Sequence, residues 1–146
     1  MIDKWDIRFL DLAKHVAQWS KDPSTQTGAV IVRLDRTIAS VGFNGFPRGC
    51  SDAEELYADR NMKYIRTVHC EMNAALAARE PLHGFTLYTW PFMSCDRCAA
   101  HMIQAGIKRC VAPACPPHLQ ERWKDSLASA SAILAEAGVE LELIGA

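Results

Sequence analysis

The residues best equipped for chemistry lie between His69 and Cys98: His69-Cys70-Glu71, a helical run, a strand, then Cys95-Asp96-Arg97-Cys98. They bring one imidazole, one carboxylate and two thiols of a Cys-x-x-Cys pair. At a helix start such a pair puts both sulfurs on one side of a turn, because residues i and i+3 are neighbours there. Two thiolates and one imidazole make a three-ligand zinc set, with the fourth tetrahedral position left for water. Zn²⁺ bound by two thiolates and a neutral imidazole is formally uncharged, so its water is acidified less than at an all-histidine site. Such a site needs a base beside it, and Glu71, two residues past His69, is where one would be wanted. The spacing therefore points to a hydrolytic zinc site, with His69, Cys95 and Cys98 as ligands and Glu71 as proton carrier.

The competing reading is a structural zinc, closed by a fourth protein ligand. Candidates for that ligand are Cys70, His101, Cys110 and Cys115. Adjacent side chains diverge at a helix start, which disfavours Cys70 beside His69; His101, three residues after Cys98, is geometrically feasible. A non-catalytic zinc module that binds a nucleotide is the alternative from a different functional class.

Periodicity indicates the elements that must position these groups. Asp3 to Trp19 reads as an amphipathic helix, with Trp5, Phe9, Leu12, Val16 and Trp19 at steps of three and four. Ser20-Lys21-Asp22-Pro23-Ser24 ends it, since proline cannot continue a helix and biases Asp22 away from one. Gly28 to Arg33 is a strand rich in β-branched residues, Asp35-Arg36 a turn, and Ile38 to Phe43 the hairpin partner. Asn44 to Asp52 holds two glycines, a proline and an asparagine, which makes it a shaped loop. It reads either as a long connection or as an anion seat of free backbone N–H groups and Arg48. Asp52 is placed to cap a helical stretch from Ala53 to about Lys63.

An alanine-rich helix follows from His69 through Ala78, and Phe85 to Trp90 is a strand. Ser94 is placed to cap a helix from Cys95 to Gly106. Both ligand groups thus fall at helix N-termini, whose dipoles favour thiolate. Lys108 to Ala112 is a short strand, Pro113 to His118 breaks the chain, and a helix from Leu119 to Ala137 precedes a last strand, Val139 to Ile144. Strands interleaved with helices predict a layered α/β domain, with a hairpin at the front and crossover connections behind.

Composition narrows the partners. A chain of 146 residues is one domain's worth, and 49% hydrophobic with 23% charged residues suits a folded globular core. A formal net charge of −1 offers no basic excess for polymeric nucleic acid. No apolar run is long enough for a membrane helix, and Asp3 and Asp6 stand where a signal peptide would be basic, so the cytoplasm is the expected compartment. Six cysteines in a reducing compartment read as metal ligands or buried thiols, and only Cys95 and Cys98 have ligand spacing.

His-x-Glu, a strand and Cys-x-x-Cys resemble the cytidine and deoxycytidylate deaminase superfamily, whose signature is H-x-E with P-C-x-x-C. Ser20-Lys21-Asp22-Pro23-Ser24-Thr25-Gln26, the run from Gly42 to Asp52, His69 to Ala74 and Ile103 to Lys108 resemble its deoxycytidylate (dCMP) branch. The resemblance implies a cytidine-deaminase-like three-layer α/β/α sandwich with a five-stranded mixed sheet, residues 1–146 forming a single deaminase domain. It implies zinc on His69, Cys95 and Cys98, with Glu71 as proton shuttle that also meets N3 of the base. The reaction expected first is hydrolysis of dCMP at C4 to dUMP and ammonia, supplying a dTTP precursor. Deamination of dCTP, CMP or a 5-substituted dCMP is the alternative within that chemistry.

Carried over by motif, the backbone N–H of Cys70 meets O2 of the base, Asn44 holds the sugar, and Lys21 and Arg48 are candidates for the phosphate. The glycine-rich loop is where members of the superfamily bind regulatory nucleotides, so dCTP and dTTP are expected effectors. A homo-oligomer is expected by the same analogy, a hexamer first, then a dimer or tetramer. Three departures stand out. Ser94 replaces the usual proline, in a turn from Tyr88 to Cys95 one residue longer than usual whose bulky Trp90-Pro91-Phe92 are placed to line the base pocket. Cys70 replaces a usual alanine. Ala112 to His118 lacks a tyrosine-histidine pair, which leaves contacts there to be supplied by residues such as His118 or Trp123.

Overall fold

A computed structural model of the chain describes residues 1–145. Helix α1, Lys4–Ala17, opens it and is closed at its N-terminus by a capping box: Asp3 accepts from the N–H groups of Trp5 and Asp6, and Asp6 accepts from that of Asp3. The buried face of α1 is Phe9, Leu10, Ala13, Val16 and Ala17. It is rotated from the expected stripe, since Trp5 and Leu12 are only half-buried and Trp19, past the end of the helix, is 51% exposed. The reason is close backbone packing. A Cβ on Gly28 would lie 2.7 Å from the Ala17 nitrogen and closer still to the Ala13 carbonyl, so glycine on the strand and alanine on the helix let the two backbones meet.

Strand β1, Gly28–Val32, forms a hairpin with β2, Ile38–Phe43, through a turn in which Arg36 takes a positive φ of 69°. Next come two short helices, α2 at Glu54–Ala58 and α3 at Arg60–Arg66, where a single helical stretch was expected. Asp59 separates them in an extended conformation and caps α3, accepting from the Met62 N–H. Asp52 does not serve as the cap of this segment: it pairs with Lys21, and α2 starts at Ala53 without a side-chain cap bond. Helix α4, Cys70–Ala77, leads to β3, Thr86–Trp90; α5, Asp96–Gln104, leads to β4, Arg109–Pro113; and α6, Pro117–Glu136, leads to β5, Glu140–Ile144.

The five strands run in the order β2-β1-β3-β4-β5. The β1 strand is antiparallel to both its neighbours, whereas β3, β4 and β5 are parallel and joined by helical crossovers, so the sheet is mixed as expected. All five residues of β1 are buried, because it is covered on both faces. Val30 and Val32 pack with Phe9, Leu10 and Ala13 under α1, while Ala29 and Ile31 join the larger core under α4, α5 and α6. The result is an α/β/α sandwich. No helix among the described residues is long and apolar enough to cross a membrane.

Candidate active site

Gly28 is the register partner of both Phe43 and Trp90, so the ends of β2 and β3 flank it, and the segments leaving those ends carry the site. After β2 the chain bridges Gly45 to Val68, which delivers His69 to the N-cap of α4. After β3 a four-residue turn, Pro91 to Ser94, delivers Cys95 to the N-cap of α5. Two helix N-termini thereby converge, and neither cap has a side-chain hydrogen bond of its own. Ser94, expected as the cap of α5, lies one residue too early; its hydroxyl turns to Glu71, and Ser126 Oγ accepts from the Asp96 N–H instead.

His69 Nδ1 lies 3.5 Å from Cys95 Sγ and 3.2 Å from Cys98 Sγ, and the three donor atoms all fall within 4.8 Å of one another. Zinc bonds of about 2.0 Å to nitrogen and about 2.3 Å to sulfur would give tetrahedral N···S edges of roughly 3.5 Å, so the donor set fits zinc. Among the described residues no other His, Cys, Asp or Glu joins this cluster. His101 Nδ1 lies 2.7 Å from the Arg97 carbonyl oxygen, Cys110 is buried in the core, and neither Cys70 nor Cys115 comes within reach. A closed four-ligand site is not built here. The hydrogen bond from Cys98 draws the Cys95 thiol well below its ordinary value, against burial and with help from His69. Cys98 moves up, first through the same bond, then through burial and the nearby Glu71 charge.

Glu71, in the first turn of α4, is 5% exposed. Its Oε2 accepts from the Ser94 hydroxyl at 2.6 Å, and its Oε1 faces the Cys70 thiol at 3.6 Å. Burial, then the Glu71 charge, pushes the Cys70 thiol well above its ordinary value, so it stays protonated. The close fit of β2 against α4 needs Gly42, where a Cβ would lie 2.5 Å from the Cys70 carbonyl oxygen.

These groups open into one cavity. It is lined by His69, Cys70, Glu71 and Cys95, and by the apolar side chains of Trp90, Phe92, Met93 and Trp123. Phe92 and Trp123 lean together with ring centroids 5.8 Å apart. Asn44 also lines the cavity and is held there: Oδ1 accepts from Thr27 N–H at 2.9 Å, and Nδ2 donates to the Thr25 carbonyl at 3.0 Å. Of the nine residues singled out from sequence as ligands, base or substrate contacts, Lys21 and Arg48 alone stand well apart. Lys21 forms an exposed ion pair with Asp52, Arg48 is exposed on its loop, and neither lines the cavity. His118 is likewise exposed and outside it.

Other cations line the same cavity or lie beside it. Lys63, 7% exposed, points its ammonium to Asp22 Oδ1 at 3.2 Å and Ser24 Oγ at 3.1 Å, and all three residues line the cavity. Arg60 and Arg122 both donate to the Tyr64 hydroxyl, and neither has a carboxylate partner among the described residues. Burial opposes the change, but hydrogen bonding from Arg60 and the charges of both arginines pull the Tyr64 hydroxyl below its ordinary value. Lys63, Arg60, Tyr64, Arg122 and Ser24 also surround a second depression, which shares all of these but Arg60 with the first. Sequence periodicity misses this cluster, because its members come from a loop and two helices up to 98 positions apart (Ser24 to Arg122). The one available signal was Asp22 in the Ser-Lys-Asp-Pro run, which proves to be the partner of Lys63.

Comparison with known proteins covers nearly the whole chain. Residues 3–114 match the model of the cytidine and deoxycytidylate deaminase zinc-binding region. An uncharacterized deaminase encoded in the luxG 3′ region of Aliivibrio fischeri is 43% identical over 141 residues, 97% of this chain and 94% of that protein. Mouse deoxycytidylate deaminase is 38% identical over 116 residues, 74% of this chain but 64% of the mouse protein. The dCMP deaminase of cyanophage S-TIM5, solved in complex with dCMP and dUMP, superposes with a TM-score of 0.75 at 23% identity, covering 99% of each chain.

Proposed function

The chain belongs to the cytidine and deoxycytidylate deaminase family of zinc-dependent hydrolases, and on that premise we propose that it converts dCMP and water into dUMP and ammonia. The observation that carries this reading is a single cavity lined both by the His69, Cys95 and Glu71 groups and by the Lys63 and Arg122 cations. The first set suits C4 of a cytosine and the second a 5′-phosphate.

Bound by His69, Cys95 and Cys98, zinc would supply a Lewis acid that lowers the pKa of a water. Glu71 takes a proton from that water and delivers it to N3 of the base. As the water oxygen bonds to C4, the same carboxylate takes that oxygen's remaining proton and gives it to the C4 amino group, which leaves as ammonia as the C4–N bond breaks and the C4 carbonyl forms. The backbone N–H of Cys70, at the first turn of α4, is assigned to O2. Asn44 keeps one Nδ2 hydrogen beyond its two backbone bonds, and this is assigned to the sugar. Trp90, Phe92 and Trp123 form an apolar wall for the base. We assign the phosphate to Lys63 and Arg122, with the Ser24 and Tyr64 hydroxyls, in place of Lys21 and Arg48, because the former line the cavity.

In this reading residues 1–146 act as one deaminase unit on a free nucleotide in the cytoplasm, with dCTP or dTTP as effectors at the 44–52 loop. A homo-oligomer is supported by Ile65 and Leu76 on α3 and α4, which are 78% and 69% exposed; a hexamer is the first form to test for. The test is turnover by zinc-loaded protein of dCMP, CMP, dCTP, deoxycytidine and 5-methyl-dCMP, with and without added dCTP. We expect dCMP to exceed deoxycytidine in kcat/KM by about tenfold or more, reflecting charge-assisted phosphate contacts. Glu71→Gln should lose turnover by a factor of about 10² or more and keep its zinc. No turnover of any substrate at full zinc occupancy would remove the enzyme reading.

A further inference from the structure

The carboxylate of Glu71 is buried, and its two oxygens face two different donors: the Ser94 hydroxyl at 2.6 Å and the Cys70 thiol at 3.6 Å. Ser94 is itself 7% exposed and Cys70 3% exposed. A serine just before a helix would ordinarily have a capping role. Here that role is vacated: α5 is capped at Cys95, the Asp96 N–H goes to Ser126, and the bond to Glu71 is the one hydrogen bond the Ser94 hydroxyl makes among the described residues. The superfamily signature places proline at this position, and proline has no side-chain donor. The substitution thus adds a directional contact to the acid–base group.

We propose that Ser94 is a positioning residue for Glu71, fixing the plane of its carboxylate through the short bond to Oε2, with the Cys70 thiol as a weaker second hold on Oε1. The proposal rests on Glu71 acting as the proton carrier of the reaction assigned above. A carboxylate that relays a proton from water to a ring nitrogen and then to a leaving amine must keep one oxygen aimed at the base. A carboxylate without a partner in a buried site could rotate away from that aim, and small misplacements of a reacting group are costly in rate. Ser94 holds one oxygen by its syn or anti lone pair and leaves a second lone pair on each oxygen free for the reaction. Cys70, a weak donor at longer distance, adds less.

The experiment compares zinc-loaded wild type with Ser94→Ala and Ser94→Thr. Ser94→Ala should lower kcat by about tenfold or more, leave KM for dCMP within about twofold and keep one zinc per chain; Ser94→Thr, which keeps the hydroxyl, should restore most of kcat. Unchanged kcat in Ser94→Ala, an equal loss in Ser94→Thr, or a loss that follows zinc content would overturn the proposal. A second readout needs no turnover: urea unfolding of Ser94→Ala, Glu71→Ala and the double variant, each zinc-loaded. Non-additive midpoints are expected for directly bonded partners, and additive ones would also overturn the proposal. Absence of dCMP turnover by wild type, with the unfolding cycle non-additive, would count against the substrate assignment and leave the Ser94–Glu71 contact standing.

Discussion

At the scale of single residues, chemistry and recognition differ in how they are encoded. His69, Glu71, Cys95 and Cys98 act within two short windows, so their spacing identifies them before any fold is known. The residues proposed to contact the phosphate are not identified in this way. Lys21 and Arg48 are exposed cations on motif loops, whereas Lys63 is desolvated against Asp22 and Ser24, and Arg122 reaches the cavity from α6. A charge held in a partly dehydrated site interacts far more strongly with an anion than one in open water. Arg122→Gln is therefore expected to raise KM for dCMP by about tenfold or more while leaving that for deoxycytidine unchanged. Lys21→Gln should change neither by more than about twofold, since its exposed pair with Asp52 contributes little. Steady-state kinetics on the two substrates separates the two cations.

At the scale of elements, the periodic segments matched expectation and the boundaries set by polar side chains did not. The helices beginning near His69 and Cys95 and all five strands appear where hydrophobic patterning put them. Asp52 and Ser94 are plausible caps by type, but each side chain turns to a partner far away in sequence, Lys21 in one case and Glu71 in the other. Capping propensity is local, and an ion pair or buried carboxylate nearby in space overrides it. Close approach of elements was equally invisible. Gly42 sits in β2 like any strand glycine, yet it is what lets β2 lie against the first turn of α4. Gly42→Ala should push α4 outward, shifting Cys70 and Glu71 with it. We expect a stability loss of about 1–3 kcal/mol, the usual range for overpacking, together with a fall in kcat. Urea unfolding and turnover of the same preparation would measure both.

At the scale of the whole molecule, one buried acid ties the first helix to two strands of the sheet. Asp6 on α1, 2% exposed, accepts from the Tyr88 hydroxyl at 2.6 Å on β3 and from Arg109 Nη1 at 2.7 Å on β4. Burial alone would raise its pKa, but the Arg109 and Tyr88 hydrogen bonds overcome that and hold it at about 2, below the ordinary 3.8. A carboxyl depressed in the folded state stabilises it at pH values above the unfolded pKa, and that contribution fades as pH falls from about 4 toward 2. The shift corresponds to about 2 kcal/mol. Asp6→Asn should thus be less stable than wild type by about that amount at pH 7, with the gap closing near pH 2. Paired urea titrations at several pH values check this, and a gap independent of pH would contradict it.

The amino-acid sequence by itself determined the chemistry and the layered architecture. Zinc ligands and their base lie within one turn of a helix start, and strand and helix periods are properties of a few consecutive side chains. Tertiary structure alone decided how the substrate end of the site is assembled. Lys63 meets Asp22 across 41 positions of chain, and Arg122 meets Tyr64 across 58. Ser94 meets Glu71 across 23. Such contacts depend on how β2, α3, α4 and α6 pack, and packing is fixed by the summed fit of the two cores, a quantity that no local window contains.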